Sequence, residues 1–257
     1  KVKEFEDKIL EIGPENVAAY IAEPVLASGG CIVPPKNYIK RFWELCKKYD
    51  ILYISDEVVT GFGRLGYFFT SKDEFDIEPD IITTAKGITS GYFPLGAVLI
   101  SNKLMDDIKH ESALFFHGYT YSGHPAACAA ALKNIEILKR DKILDHVKEI
   151  SPYFFEKLNT LYNIPIVGDV RGMGLMAGIE CVIDKNSKDP LILDKAIGSR
   201  IDEQSIKLGL IIRPLYHICV LSPALIITKE QIDELTNKLY EAIEKSLEEL
   251  RIEGLWS

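Results

Sequence analysis

The sequence predicts an α/β protein, with a mostly parallel sheet in its front portion and a smaller α+β domain behind it. Three observations carry this expectation. Four near-continuous apolar runs rich in β-branched residues recur in the first hundred residues, separated by helical or loop segments. That is the pattern of parallel strands buried on both faces. After Pro165 the character changes, and Val167–Cys181 reads as a Gly-punctuated β-hairpin. The chain then closes on a long amphipathic stretch from Thr228, whose T-x-x-Q start has the spacing of a capping box. The boundary falls near residue 145, dividing the chain into 1–145 and 146–257.

The elements follow in order. Val17–Val25 is a short strand ending at Glu23-Pro24, and Ser28-Gly29-Gly30 continues the loop. Pro34-Pro35 sits where a helix would begin, because proline is tolerated in a first turn. Tyr38, Phe42, Leu45, Cys46 and Tyr49 then recur at helical spacing, and Lys47-Lys48 suits the helix C-terminus. Ile51–Val59, Asp80–Ala85 and Gly96–Ser101 are the second, third and fourth apolar runs. Pro125 opens an alanine-rich helix, and another runs to about Leu161. The small domain adds a helix around Leu193–Leu208 and strands near Leu210–Arg213 and Ile218–Leu221. Its last helix has an apolar stripe of Ile232, Leu235, Leu239, Ile243 and Leu247.

Composition narrows the class. At 47% hydrophobic and 26% charged, the 257 residues match an ordinary globular protein. The 30 Lys and Arg against 38 Asp and Glu leave a net charge of -8, which argues against nucleic-acid binding. The longest stretch free of these charges, Ser112–Leu132, carries Gly118, Gly123, Pro125 and several hydroxyls. It is wrong for a lipid-facing helix, so no membrane association is expected. Five widely spaced cysteines without a C-x-x-C pair read as reduced, mostly buried thiols of a cytoplasmic protein. The start, Lys1-Val2-Lys3-Glu4, lacks an initiator Met and opens inside charged helical sequence. The chain is therefore expected to begin partway into a longer protein.

Polar residues at the carboxyl ends of parallel strands are where chemistry is sought. Lys86 follows a β-branched run and has small or apolar neighbours. It is either a solvated surface cation or a partly desolvated amine with a lowered pKa, able to form a Schiff base. Asp56 ends the run I-L-Y-I-S. A carboxylate there is a helix cap, an ion-pair partner of an arginine such as Arg64, or the group that keeps a pyridine nitrogen protonated. In that last case Val58 could pack on the ring. Glu23 closes the first strand similarly, as a loop cap or a site residue. Arg213 precedes Pro214 and is a surface charge or a bidentate carboxylate clamp. Thr120 lies just ahead of a helix start, as a cap or a phosphate contact. His117 and His124 are spaced without the carboxylates of a metal site, so no metal is expected.

Together, five segments resemble the class-III (ω-amino acid) aminotransferases. They are E-P-V-L-A-S-G-G, S-D-E-V-V-T-G-F-G-R-L-G, T-T-A-K-G-I-T-S-G-Y-F-P-L-G-A-V, H-G-Y-T-Y-S-G-H-P-A-A-C-A-A-A-L and D-V-R-G-M-G-L-M-A-G-I-E. The resemblance spans nearly the whole chain, and the order of the motifs matches. It implies a fold type I scaffold using pyridoxal 5′-phosphate, with 1–145 as the back part of the large cofactor domain and 146–257 as the small C-terminal domain. The family's upstream Gly/Ser-rich phosphate loop and ring-stacking aromatic do not occur in this chain.

Carried over, the resemblance implies that Lys86 holds the cofactor as a Schiff base and shuttles the proton between substrate Cα and cofactor C4′. Asp56 holds the pyridine nitrogen, and Val58 packs on the ring. Thr120, with Tyr119 beside it, binds the cofactor phosphate of the partner subunit, which implies a homodimer. Glu23 sits near cofactor and substrate and pairs with a mobile arginine. Arg213 matches that arginine, which binds the acceptor's carboxylate. The implied reaction moves an amino group from a terminal amine or ω-amino acid to a keto acid such as pyruvate. A same-fold aminomutase, racemase or decarboxylase is one alternative. A catalytically silent fragment serving only subunit association is another.

Overall fold

The computed structural model describes residues 1–110, 116–186, 189–190 and 196–256. The chain divides into two compact units, Lys1–Val25 with Pro34–Leu144 and Leu26–Val33 with Asp145–Ser257.

The first unit runs α1 (Val2–Ile12), β1 (Ala19–Ala22), α2 (Tyr38–Lys48), β2 (Leu52–Asp56), the single turn α3 (Thr70–Asp73), β3 (Ile81–Thr84), β4 (Ala97–Ile100), α4 (Asn102–His110) and α5 (Pro125–Arg140). The sheet order is β1-β2-β3-β4. β1, β2 and β3 are parallel, with Ala22 opposite Ser55 and Asp56 opposite Thr83, while β4 returns antiparallel to β3. One side of the sheet is sealed by aromatic packing. Phe5 of α1 stacks on Phe42 of α2 with ring centroids 4.7 Å apart and meets Tyr20 of β1 at the same distance. Ile9, Ile39, Cys46 and the fully buried Tyr53 complete this layer.

Two expectations need correction here. The apolar runs predicted strands buried on both faces, yet Ile21 and Val98 are each 57% exposed. The helices that cover this sheet pack on the Tyr20 and Tyr53 side, and side chains alternate along a strand, so Ile21 faces away from them. Pro34-Pro35 also does not lie in the first turn of α2. The helix starts at Tyr38, after Asn37 at φ 63°, because a left-handed residue interrupts the path between the prolines and the helix.

The second unit contains α6 (Ile143–Leu158), which starts at the junction, then β5 (Val167–Met173), β6 (Met176–Asp184), β7 (Asp189–Pro190), α7 (Ile197–Lys207), β8 (Arg213–Leu215), β9 (Ile218–Leu221) and α8 (Lys229–Ile252). Its antiparallel sheet has the order β5-β6-β9-β8. Phe154, Leu158, Ile179, Ile201, Leu239 and Ile243 are fully buried and form the core between sheet and helices. The β5–β6 hairpin requires glycine at residue 172, at φ 148°, because a Cβ there would lie 2.0 Å from the Met176 carbonyl oxygen. The capping box forms as the spacing predicts. The Gln231 amide donates to Thr228 Oγ1 at 3.3 Å, and the Thr228 amide donates to Gln231 Oε1 at 3.0 Å.

The strand expected at Leu210–Arg213 is displaced to Arg213–Leu215. A two-residue turn with Tyr216 at φ 54° sets Leu215 opposite Ile218, and that register carries the ladder only back to Arg213. The start of the helix expected around Leu193–Leu208 falls on 193–195, outside the described residues. Among the described residues no helix is long and apolar enough to cross a membrane. All five cysteines are unpaired, and Cys31, Cys46, Cys181 and Cys219 are buried.

Candidate active site

The parallel strands bring three of the singled-out residues to one edge. Glu23 follows the last residue of β1, Asp56 is the last residue of β2, and Lys86 lies two residues beyond the end of β3. Because these strands are adjacent and parallel, all three emerge at the carboxyl edge of the sheet. An amine and two carboxylates converging there is the arrangement that open α/β sheets use for ligands.

Asp56 is half-buried, and its Oδ1 accepts the Val58 amide at 3.0 Å. That bond fixes the carboxylate against the start of the following loop and holds Val58 beside it. Its neighbour Glu57 is fully buried and is a residue that motif reading did not single out. Glu57 Oε2 accepts from the hydroxyls of Thr60 and Thr70 at 2.7 and 2.8 Å and from the Thr70 amide at 3.1 Å. Oε1 accepts from the Ser71 amide at 2.8 Å and its hydroxyl at 2.6 Å. Five donors offset the desolvation of the carboxylate and tie the end of β2 to α3. The available signal was its place in the run D-E-V-V, where an unpaired charge would be costly.

Lys86 opens a 3-10 turn, Lys86–Ile88, at φ 40°. The expectation of a partly desolvated amine is not met, because Lys86 is exposed. The turn carries it past the sheet edge, and the burial stops at its neighbours Ile88 and Thr89. Gly87 is required by close approach, since a Cβ there would lie 2.9 Å from Phe62 Cβ and 3.1 Å from the Gly61 carbonyl oxygen. The lysine turn therefore packs directly on the loop that follows Asp56.

Tyr119 and Thr120 are exposed and lie in a tight turn. The Tyr119 amide donates to Ser122 Oγ at 2.9 Å, and the Ser122 amide donates back to the Tyr119 carbonyl at 2.9 Å. Thr120 does not cap α5. The cap position is His124, and Gly123 at φ 69° turns the chain between them. Phe116 is 92% exposed, and Tyr119 and Tyr121 are also exposed, while Phe115 lies outside the described residues.

Arg213 belongs to the second unit, where it is exposed at the start of the edge strand β8, opposite Val220. Pro214 beside it suits an edge. The same unit contains a charge cluster that motif reading left unassigned. Arg171 donates through Nε to the Gly30 carbonyl at 2.8 Å and pairs with Asp169 at 3.0 Å and with Glu180. His217 lies 3.3 Å from the other Glu180 oxygen.

The donor set fits a pyridoxal-type group in its chemistry: an exposed primary amine and a carboxylate held in place share one sheet edge. The chain is similar to known aminotransferases. The profile of the family described as "Aminotransferase class-III" matches residues 1–243. A putrescine–pyruvate aminotransferase of Pseudomonas aeruginosa is 44% identical over 234 residues, covering 91% of this chain and 51% of the relative. A probable gamma-aminobutyrate transaminase 3, mitochondrial, of Oryza sativa subsp. indica is 42% identical over 249 residues, covering 96% of this chain and 49% of the relative. Among solved structures, a transaminase from the marine bacterium Virgibacillus superposes with a TM-score of 0.92 at 41% identity, covering 97% of this chain and 57% of its own. A PMP-bound aminotransferase from Vibrio fluvialis gives 0.91 at 38% identity, covering 96% and 55%. The chain thus spans about half the length of the curated relatives it matches.

Proposed function

The chain belongs to the class-III aminotransferases, and from that membership we propose that it transfers an amino group from a terminal amine or ω-amino acid to a keto acid such as pyruvate. The observation that carries the proposal is that Lys86 and Asp56 emerge at the same carboxyl edge of adjacent parallel strands. Relatives named for putrescine and pyruvate and for gamma-aminobutyrate support the donor and acceptor classes.

Pyridoxal 5′-phosphate, when bound, supplies an aldehyde that condenses with amines and a ring that takes up electrons as a Cα–H bond breaks. The chain's own residues do the rest. Lys86 Nζ would hold the cofactor through its primary amine and would move a proton at the substrate Cα. Asp56 keeps a proton on the ring nitrogen, and the Val58 amide keeps its carboxylate oriented for that task. Val58, held beside Asp56, would pack against the ring. Thr120, with Tyr119 beside it, binds phosphate across a homodimer interface. The exposed Phe116, Tyr119 and Tyr121 favour such an interface, since a subunit partner would cover them. Glu23 faces substrate and cofactor, and Arg213 receives the acceptor's carboxylate. Residues 1–145 make up the cofactor-domain portion, apart from Leu26–Val33, which belong to the second unit with the small domain of 146–257. The five unpaired thiols favour a reducing compartment such as the cytoplasm.

The test is borohydride reduction of the protein loaded with pyridoxal 5′-phosphate, followed by peptide mapping. Label on Lys86, and loss of amino transfer in Lys86→Ala, are expected. Label confined to another lysine would remove the basis of the proposal.

A further inference from the structure

We infer that Asn134 is a positioning residue for Lys86, holding the turn that presents its amine. The inference rests on the reading of Lys86 as the cofactor-bearing lysine. Asn134 lies in the middle of α5 and is 9% exposed, on a face whose other buried residues include Ala127, Ala131 and Leu138. An amide buried on an apolar face is costly unless its polar atoms are matched. Here they are matched, and the partners all belong to the turn after Lys86. Asn134 Nδ2 donates to the Gly87 carbonyl at 2.9 Å and to the Ile88 carbonyl at 3.1 Å. Its Oδ1 accepts the Ser90 hydroxyl at 2.8 Å.

The turn needs such a clamp. Lys86 at φ 40° and Ser90 at φ 50° both occupy backbone space that residues with a Cβ rarely adopt. Within the turn, the Thr89 and Ser90 amides donate to the Lys86 and Gly87 carbonyls at 3.3 and 3.2 Å, near the long end for such bonds. On one side Gly87 is stopped by Phe62 and Gly61. On the other, Asn134 grips the two carbonyls that directly follow Lys86. The turn is thereby wedged between the loop after Asp56 and α5, and the left-handed Lys86 cannot relax without breaking the contacts to Asn134. Removing the amide frees the backbone of Lys86 to leave φ 40° and carries its amine out of register with Asp56.

The experiment compares Asn134→Leu, Asn134→Asp and Ser90→Ala with the parent protein. Two quantities are measured: the rate at which pyridoxal 5′-phosphate and borohydride label Lys86, and amide exchange at Thr89 and Ser90 without cofactor. Labelling is expected to slow about tenfold in Asn134→Asp, which loses the two bonds to backbone carbonyls, by at least that in Asn134→Leu, which loses all three, and about threefold in Ser90→Ala. Exchange at the two amides is expected to quicken by similar factors, while amides of β6 are unchanged. A purely structural role would lower the melting temperature yet leave labelling unaltered where the variant is folded, and that outcome overturns the inference. Ser90→Ala loses one bond from an exposed residue and carries the test if the Asn134 variants do not fold. Label on a different lysine in the parent protein overturns the assignment of Lys86 itself. Label on Lys86 that is equally fast in all variants overturns only the role of Asn134.

Discussion

Glu57 and Ser71, far apart in sequence, are joined twice: both the amide and the hydroxyl of Ser71 donate to the same carboxylate oxygen, Oε1. Ser71 Oγ in turn accepts the Ser55 hydroxyl at 2.8 Å, so one serine links two residues on either side of Asp56. The carboxylate proposed to meet the ring nitrogen is thus flanked by a buried polar lock.

Glu57→Gln is expected to destabilise the protein by on the order of 3 kcal/mol, because in either orientation its amide NH₂ would be turned toward a backbone N–H, of Thr70 or Ser71, that can only donate. Chemical denaturation of the two proteins measures the difference. A change below about 0.5 kcal/mol, the ordinary range for surface substitutions, would show that the lock contributes little.

Asp56→Asn is expected to retain cofactor but to slow proton abstraction by roughly 10²–10⁴-fold, since a neutral amide cannot hold the proton on the ring nitrogen. Single-turnover kinetics with the amine alone measure this step. An unchanged rate would make Asp56 a capping residue for the Val58 amide and nothing more.

Arg213→Ala is expected to raise the apparent KM for pyruvate about 10- to 100-fold, the loss of a charge-assisted bidentate contact. The half-reaction with an uncharged amine should be nearly intact. Equal damage to both half-reactions would assign Arg213 to the fold of its edge strand.

Inactive Lys86→Ala chains mixed with chains inactivated at Thr120 are expected to regain activity. If Thr120 acts across the interface, a mixed dimer has one site with both defects and one with neither. Subunit exchange demonstrated without recovered activity would place Thr120 in its own chain's site.

Burial pushes the Cys181 thiol from 9.0 up to about 12, and raises Cys219 well above 9.0. From pH 9 upward the unfolded chain sheds thiol protons that the folded chain retains. The stability these thiols contribute is therefore complete below pH 9 and lost as pH rises toward about 12. Removing them as Cys181→Ala and Cys219→Ala should flatten the alkaline decline by up to about 1.4 kcal/mol per pH unit per thiol. Denaturation midpoints between pH 8 and 10.5 give the slope, and parallel slopes with and without the thiols would contradict it.

What could be read from the residues was what local chemistry decides. The apolar runs at β1, β2 and β3, the Gly-rich hairpin and the Thr228 capping box each depend on neighbours a few positions away. So did the placement of Glu23, Asp56 and Lys86, which follows once parallel strands are laid side by side. What escaped depended on distant partners. Glu57 was not singled out, because α3 brings to it the two amides and two hydroxyls of Thr70 and Ser71. Asn134 was not singled out either, because its partners come from the lysine turn more than forty residues earlier. The shift of β8 came from the two-residue turn at Tyr216, whose register outweighed the apolar pattern of Leu210–Ile212. The exposure of Lys86 likewise follows from the turn's path, which nearest-neighbour composition does not encode.

The excursion of Leu26–Val33 into the C-terminal unit bears on how this architecture can be recombined. The polypeptide passes between its units three times, after Val25, after Val33 and after Leu144. A single crossover in a gene, or a single protease nick, cannot part them cleanly. Any piece cut at Leu144 leaves Arg171 without the Gly30 carbonyl that its Nε grips. Swapping the small unit between homologous enzymes as a cassette therefore requires grafting eight residues from near the start of this chain along with its end.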